Sequence, residues 1–341
     1  MNQSIERKRV VTNFYIVLAL VFSASCKSQK DIKTTESPNK STSVHFTYQD
    51  IAGIGLDAKY NRRDNSDIIK VGDTYYIWYS RMNNPVTSGY WATIWYATSK
   101  DEGHTWQEQG MALGLGDKGA FDSHSVFTPN ILAYKGKYYL YYTGVKPTPG
   151  NPKGEFEGNH TTDITAFGLA VAENPNGPFK RVKNNPVLEI SQTPEDFDSY
   201  RVDDTSLLVK DNKIWLYYKG RSIIHGDKGP GLTEMSVAYA DKPEGPFVKH
   251  KGSLLDKSHE VLIWKKAKGV ASLASISKTI NYAADGVRFS VLAENLKDIP
   301  KAPGLYRPDL EDNNRNAVTP SWGIAMKVKK GQTYLVRFEM K

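Results

Sequence analysis

From residue 44 onward, apolar and polar positions alternate in short runs rich in aromatic and β-branched residues, punctuated by Gly, Asn, Asp and Pro. A period of two marks β-strands, and helix-like periodicities are very few, so the pattern predicts an all-β chain. It also repeats. Asp64–Arg81, Thr128–Tyr142 and Asp203–Arg221 each read as an apolar strand, a two-residue turn and an aromatic strand, with turns at Gly72-Asp73, Lys135-Gly136 and Asp211-Asn212. Such a unit is a β-hairpin. A third strand and a second turn follow each hairpin, in Ile94–Trp106, Phe167–Phe179 and Met235–Phe247. Residues 259–295 supply a fourth unit (Val270–Ser277, then Arg288–Ala293), and Trp322–Lys327 with Tyr334–Phe338 a fifth. The recurrence predicts a five-bladed β-propeller. A β-sandwich would not repeat the same strand grammar in order.

The first 43 residues stand apart. Arg7-Lys8-Arg9 precedes the apolar run Phe14–Phe22 and the small residues Ser23-Ala24-Ser25. That run is short for a permanent membrane helix and reads as an export signal. Cys26, the single cysteine, follows directly and resembles a bacterial lipobox, with Ser23 where Leu is usual. The expected organisation is a lipoprotein signal over residues 1–25, a lipidated Cys26 with a flexible polar tether over 26–43, and a catalytic propeller over 44–341. This predicts a bacterial cell-envelope protein held at a membrane by an N-terminal lipid. Lys27-Ser-Gln-Lys30 lacks an acidic export run, which favours the periplasmic side over the cell surface. One cysteine excludes a disulfide framework and multi-thiolate clusters. The formal net charge is +8, yet the basic residues are scattered and no reading motif accompanies them, so no nucleic-acid partner is expected.

In a propeller the first strand of every blade lines the central channel, so residues at the starts of those strands converge at one mouth. Asp64 and Asp203 align in the repeat and are predicted to face one another there, with Asp204 as an acidic rival beside Asp203. Asp122 and His124 lie just before the second blade, and Ser258-His259-Glu260 opens the fourth. Carboxylates gathered at low dielectric push one another's pKa values apart, which lets an acid and a base coexist, and glycoside hydrolysis is a common use of such a set. Asp is also common in turns, and the pairing by repeat is what lifts these two above that background. Arg63, Arg81, Lys219 and Arg221 cluster at the strand ends of the Asp-bearing blades, where they either balance the carboxylates or bind hydroxyl-rich or anionic groups. Tyr90, Trp91 and Trp322 are candidates for stacking on sugar faces. No ligand spacing identifies a metal, and a divalent cation near the propeller axis is left open.

Asn61-Arg-Arg-Asp64, Gly119–Asn130, Val202–Thr205 with Trp215–Arg221, His259-Glu-Val261 and Ala302–Asp309 together resemble glycoside hydrolase family 117, in order, over residues 60–340. The resemblance implies a five-bladed propeller that acts in exo fashion on red-algal galactan oligosaccharides. The implied reaction cleaves a terminal α-1,3 bond, releasing 3,6-anhydro-galactose or a related galactose from substrates such as neoagaro-oligosaccharides, with inversion expected. Asp64 matches the general base, Asp203 and Glu260 two further carboxylates, and His259 the general acid, which Glu260 is expected to keep protonated. The expected substrate contacts are Arg63, Arg81, Asp122, His124, Thr128, Lys219, Arg221, Arg307 and Trp322. Three features depart from the family: its helical N-terminal extension is not evident, which leaves monomer or dimer open, His124 stands where a different basic or polar residue is expected, and Asn65 follows Asp64 where Pro is more usual. Two other readings stand beside this one, a carbohydrate-binding lipoprotein without activity and a family 43-like propeller glycosidase of other specificity.

Overall fold

The predicted hairpins form around the predicted turns. Val71 pairs with Thr74, Tyr134 with Lys137 and Lys210 with Lys213, leaving two-residue turns between them. Lys135 and Gly136 take φ of 50° and 76°, and Asp211 and Asn212 take 52° and 58°. Two successive left-handed residues make the turn whose twist matches a hairpin, and Gly, Asn and Asp tolerate it best. These features belong to a computed structural model that describes residues 44–82, 92–147 and 163–341. Cys26 and the leader, Tyr90 and Trp91 lie outside the described residues.

The hairpins extend into five antiparallel sheets, the blades of a five-bladed propeller. Blade I runs outward from Asn61–Asn65 through Thr74–Met82 and Thr93–Ser99 to Gln107–Leu113, with Ile69–Val71 also on Thr74–Met82. Blade II comprises Ser125–Tyr134, Lys137–Pro147 and Asp163–Ala172, whose outer edge carries both Lys180–Arg181 and Leu188–Glu189. Blade III is Arg201–Lys210, Lys213–Arg221, Glu234–Ala240 and Val248–Lys249. Blade IV is Val261–Lys266, Gly269–Ala274, Thr279–Ala283 and Ser290–Ala293. Blade V takes Lys301–Leu305, Trp322–Lys329 and Gln332–Met340, and its outermost strand is Phe46–Asp50. Phe46 pairs with Met340 and Asp50 with Val336, so an early strand closes the ring onto the last one and covers an edge that would otherwise be open. Helical structure among the described residues is confined to two 3₁₀ segments, Ile223–Leu232 and Pro308–Leu310.

The aromatic residue that ends each repeat unit explains why the unit recurs. Phe179, after blade II, sits edge-on to Trp78 of blade I at 6.1 Å, and Phe247, after blade III, sits edge-on to Tyr141 of blade II at 6.3 Å. Trp106, from blade I, packs in one cluster with Trp322 and Ile324 of blade V. Blades I, II and III thus each drive one ring into the blade before them, and the large apolar area buried between blades holds the ring of sheets together.

The centre of the propeller is polar. Arg307 is fully buried and its guanidinium meets Asp67 at 3.0 Å, Asp309 at 2.7 Å and the Leu207 carbonyl at 2.8 Å. Asn130 donates to the Thr205 carbonyl at 2.7 Å, and Asp67 accepts from the Leu305 amide at 2.9 Å. Four blades are therefore tied by one buried cation and its acceptors. Arg307→Met would leave Asp67 and Asp309 buried without their counter-charge, which costs about 3–5 kcal/mol. The expected outcome is a melting temperature lower by roughly 10 °C or more in a thermal scan, read at unchanged pH.

Candidate active site

Four of the five inner strands carry the same defect near their first residues. In blade I Arg63 pairs with Ser80 and Asn65 with Tyr79, so Asp64 has no partner across the ladder. In blade III Asp203 pairs with Lys219 and Thr205 with Tyr218, which leaves Asp204 as the extra residue. Blades II and V break register between Phe127 and Asn130 and between Lys301 and Gly304. The bulged residues Asp64, Thr128, Asp204 and Ala302 all have positive φ, of 47°, 44°, 53° and 42°. A bulge re-aims the side chain it carries, and a non-glycine residue held left-handed costs about 1–3 kcal/mol, a strain that gathers at functional sites. All four point into one funnel. Two small chambers there, each of about 30 Å³, share Asp64, Thr128, Asp204, Glu260 and Ala302 in their walls.

The structural counterpart of Asp64 is therefore Asp204, one residue beyond the Asp203 that the repeat alignment selects. The bulge explains the offset, because it adds a residue that a ladder alignment does not count. Asp203 instead lies in the ladder and is committed to cations: Arg201 Nε reaches it at 2.6 Å and Lys219 Nζ at 3.0 Å. Lys219 also reaches Asp204, at 2.6 Å. Asp64 accepts from Arg63 Nε at 2.7 Å.

These contacts separate the two neighbouring carboxyls. Burial alone would raise Asp203, but Lys219, Arg201 and Arg221 outweigh it and hold Asp203 well below the usual carboxylate range. For Asp204 burial is also the largest influence, Lys219 opposes it only in part, and the negative charges of Asp203 and Asp64 add to it, so Asp204 is pushed up to about 7. Lys219 stays protonated because both carboxylates stabilise its charge against the cost of burial. His259 shares a chamber wall with Lys219, Asp203 and Glu260. Lys219 first, then burial, and then Arg221 and Arg201 lower His259 to about 3, against the opposing pull of Asp203. The expectation that Glu260 keeps this imidazole protonated is thus corrected: the cations of blade III dominate, and His259 is neutral at pH 7 in the free protein.

The model of glycosyl hydrolases family 43 matches residues 59–228. No curated protein matches the sequence. Among solved structures, Zg3597, a family 117 glycoside hydrolase from the marine bacterium Zobellia galactanivorans, is 28% identical, with a TM-score of 0.75 over 87% of this chain and 90% of that one. This chain is a glycoside hydrolase of the propeller type, similar to families 117 and 43. A thermostable family 43 glycoside hydrolase (15% identity, TM-score 0.56, 86% of this chain and 96% of that one) shares the fold. So does an endo-arabinase from Bacteroides thetaiotaomicron (14% identity, TM-score 0.55, 85% and 97%).

In this glycosidase the funnel gathers Arg63, Asp64, Thr128, Asp203, Lys219, His259 and Glu260 from the expected set, and adds Asp204, Asn65 and Thr205. Arg221 is buried close enough to act on both Asp203 and His259. His124 is exposed and lines neither chamber. Four expected contacts are elsewhere. Arg81 is sandwiched between the rings of Tyr60 and Trp95 and pairs with Glu108 at 2.6 Å. Asp122 is buried and holds Tyr142 at 2.8 Å and Arg181 at 2.7 Å. Arg307 is the central cation described above. Trp322 is buried between Tyr75 and Tyr306, out of reach of a sugar. Among the described residues, no group of three or more His, Cys, Asp or Glu side chains could hold a metal ion.

Proposed function

We propose that this glycosidase acts in exo fashion, with inversion, on red-algal galactan oligosaccharides such as neoagaro-oligosaccharides. The bond cleaved is α-1,3, and the released terminal sugar is 3,6-anhydro-galactose or a related galactose. The observation that carries the hydrolytic mechanism is the pair Asp64 and Asp204, set on equivalent bulges around one chamber, with Asp204 biased to keep its proton. Asp64 removes a proton from water as the water oxygen attacks the anomeric carbon. Asp204 gives its proton to the glycosidic oxygen as the bond to that carbon breaks. A 30 Å³ chamber is large enough for a water, which inversion requires between the sugar and the base. Asn65 Oδ1 and Thr205 Oγ1 are buried, have no hydrogen-bond partner among the described residues, and belong to residues of the same chamber. A buried polar atom left unpaired is costly, so these two are suited to hold that water or a sugar hydroxyl. Lys219 keeps Asp203 ionised and leaves Asp204 as the member that changes protonation. The sugar assignment rests on the motifs shared with family 117 and on the 28% identity to Zg3597.

The same proposal holds the enzyme in the bacterial envelope, anchored through Cys26 on the periplasmic side. Its test is to incubate the protein with neoagarobiose and with carrageenan- and porphyran-derived oligosaccharides and follow products by NMR. Release of anhydro-galactose from neoagarobiose, first as the anomer opposite to that of the bond, is the expected result. Turnover of a different oligosaccharide would change the sugar assignment and keep the chemistry. Tight binding with no sugar released would favour a carbohydrate-binding lipoprotein instead.

A further inference from the structure

The catalytic chambers hold only the reacting group, yet the funnel opens sideways into much larger space. Glu260 and His259 are shared with a 670 Å³ cleft between blades IV and V, whose walls include Lys278, Lys297 and Lys301. That cleft continues past Lys301 and Asp298 into a second of 680 Å³, where Lys327 lies over the Tyr48 ring at 4.4 Å. Volumes of this size suit oligosaccharide-sized ligands, and continuity with Glu260 places the cleft where the chain beyond the cleaved bond would run. Its charge is unusual. Lys278, Lys297 and Lys301 are all exposed, and none is in an ion pair among the described residues, although elsewhere on the surface lysines pair readily, as Lys100 does with Asp73 and Lys137 with Glu173. The carboxylates of the first cleft are Glu260, at its catalytic end, and Asp298. Three lysines around a cleft with apolar walls at Ile276, Leu296 and Ile299 offer cations to a ligand that brings its own negative charge.

We propose that this cleft binds an anionic group, a sulfate ester or a uronate carboxylate, on the leaving-group side of the substrate. The inference rests on the glycosidase reading and narrows its substrate class from neutral to charged oligosaccharides. Neoagarobiose would then be a minimal substrate that leaves the lysines unused.

The test compares a sulfated galactan disaccharide, its chemically desulfated form and a galacturonate disaccharide. Binding is measured by calorimetry on full-length Asp64→Asn protein, with and without the triple change Lys278→Ala, Lys297→Ala and Lys301→Ala. All three lysines are exposed, and a matching circular dichroism spectrum checks the fold. The expected result is about tenfold tighter binding of at least one charged disaccharide than of the neutral one at low salt. That preference should fall to within about twofold near 0.3 M salt and in the triple variant. Which charged probe shows it identifies the group as sulfate or carboxylate. Equal affinity for charged and neutral probes, or a preference that survives in the triple variant, overturns the proposal. Turnover by the wild-type protein is read separately: turnover without charge preference sinks the cleft alone, and lysine-dependent charge preference without turnover sinks the glycosidase reading alone.

Discussion

Replacing Asp64 by Asn lowers turnover of a galactan oligosaccharide by about three orders of magnitude, because the amide cannot take the proton of the attacking water. The fold should be little affected. Asp64 pairs with Arg63 at 2.7 Å at the mouth of the funnel, and Asn fits the left-handed backbone that the bulge imposes. The checking measurements are kcat and KM on the same oligosaccharide, together with a thermal scan. KM should stay within a few-fold and the melting temperature within about 3 °C. Retained turnover would remove Asp64 as the base.

The second large effect belongs to Asp204. With Asp204→Asn the departing sugar receives no proton, and turnover of a natural oligosaccharide falls by about two to four orders of magnitude. An aryl glycoside of the same terminal sugar, with a leaving group acidic enough to depart unprotonated, should lose much less, within about tenfold of wild type. This split distinguishes a proton donor from a residue that only shapes the pocket, whose loss would depress both substrates alike. Asp203→Asn serves as the contrast. It removes the partner of Arg201 and Lys219 and should lower the melting temperature, while keeping the ratio of the two substrates near that of wild type. If the aryl glycoside is instead spared only in His259→Gln, the imidazole is the donor.

Much of this is legible in the amino-acid sequence itself. The two-residue turns with Gly, Asn and Asp fixed the hairpins, and the period of two fixed the blades of residues 64–247, because local chemistry decides both. Blade V was only half visible: its inner strand Lys301–Leu305 contains Pro303 and Gly304, which interrupt the pattern, and its outer strand Phe46–Asp50 arrives from the other end of the chain. The motifs did bring Asp64, Thr128, Lys219, His259 and Glu260 to one funnel. The pairing of Asp64 with Asp203 missed by one residue because a bulge adds a position without changing composition. A signal was present in the shared Asp-x-Ser of Asp64-Asn65-Ser66 and Asp204-Thr205-Ser206, whose serines both accept a backbone N–H near the axis, from Trp78 and Ile263. What no local pattern could reveal was long-range electrostatics and packing. His259 is made neutral by cations from blade III, Arg307 is held by acceptors from blades I and III, and Trp322 is roofed by Gly103, where any Cβ would meet its ring at 2.6 Å.

The most direct test of the Asp64–Asp204 account is the pH dependence of kcat/KM for wild type, Asp204→Asn and His259→Gln on one oligosaccharide. Asp204 must hold its proton to act, so the folded protein is competent below the raised value of about 7 and loses about a decade of rate per pH unit above it. The account predicts this basic limb in wild type and in His259→Gln, and a residual rate without it in Asp204→Asn. A limb that survives in Asp204→Asn and vanishes in His259→Gln would contradict it.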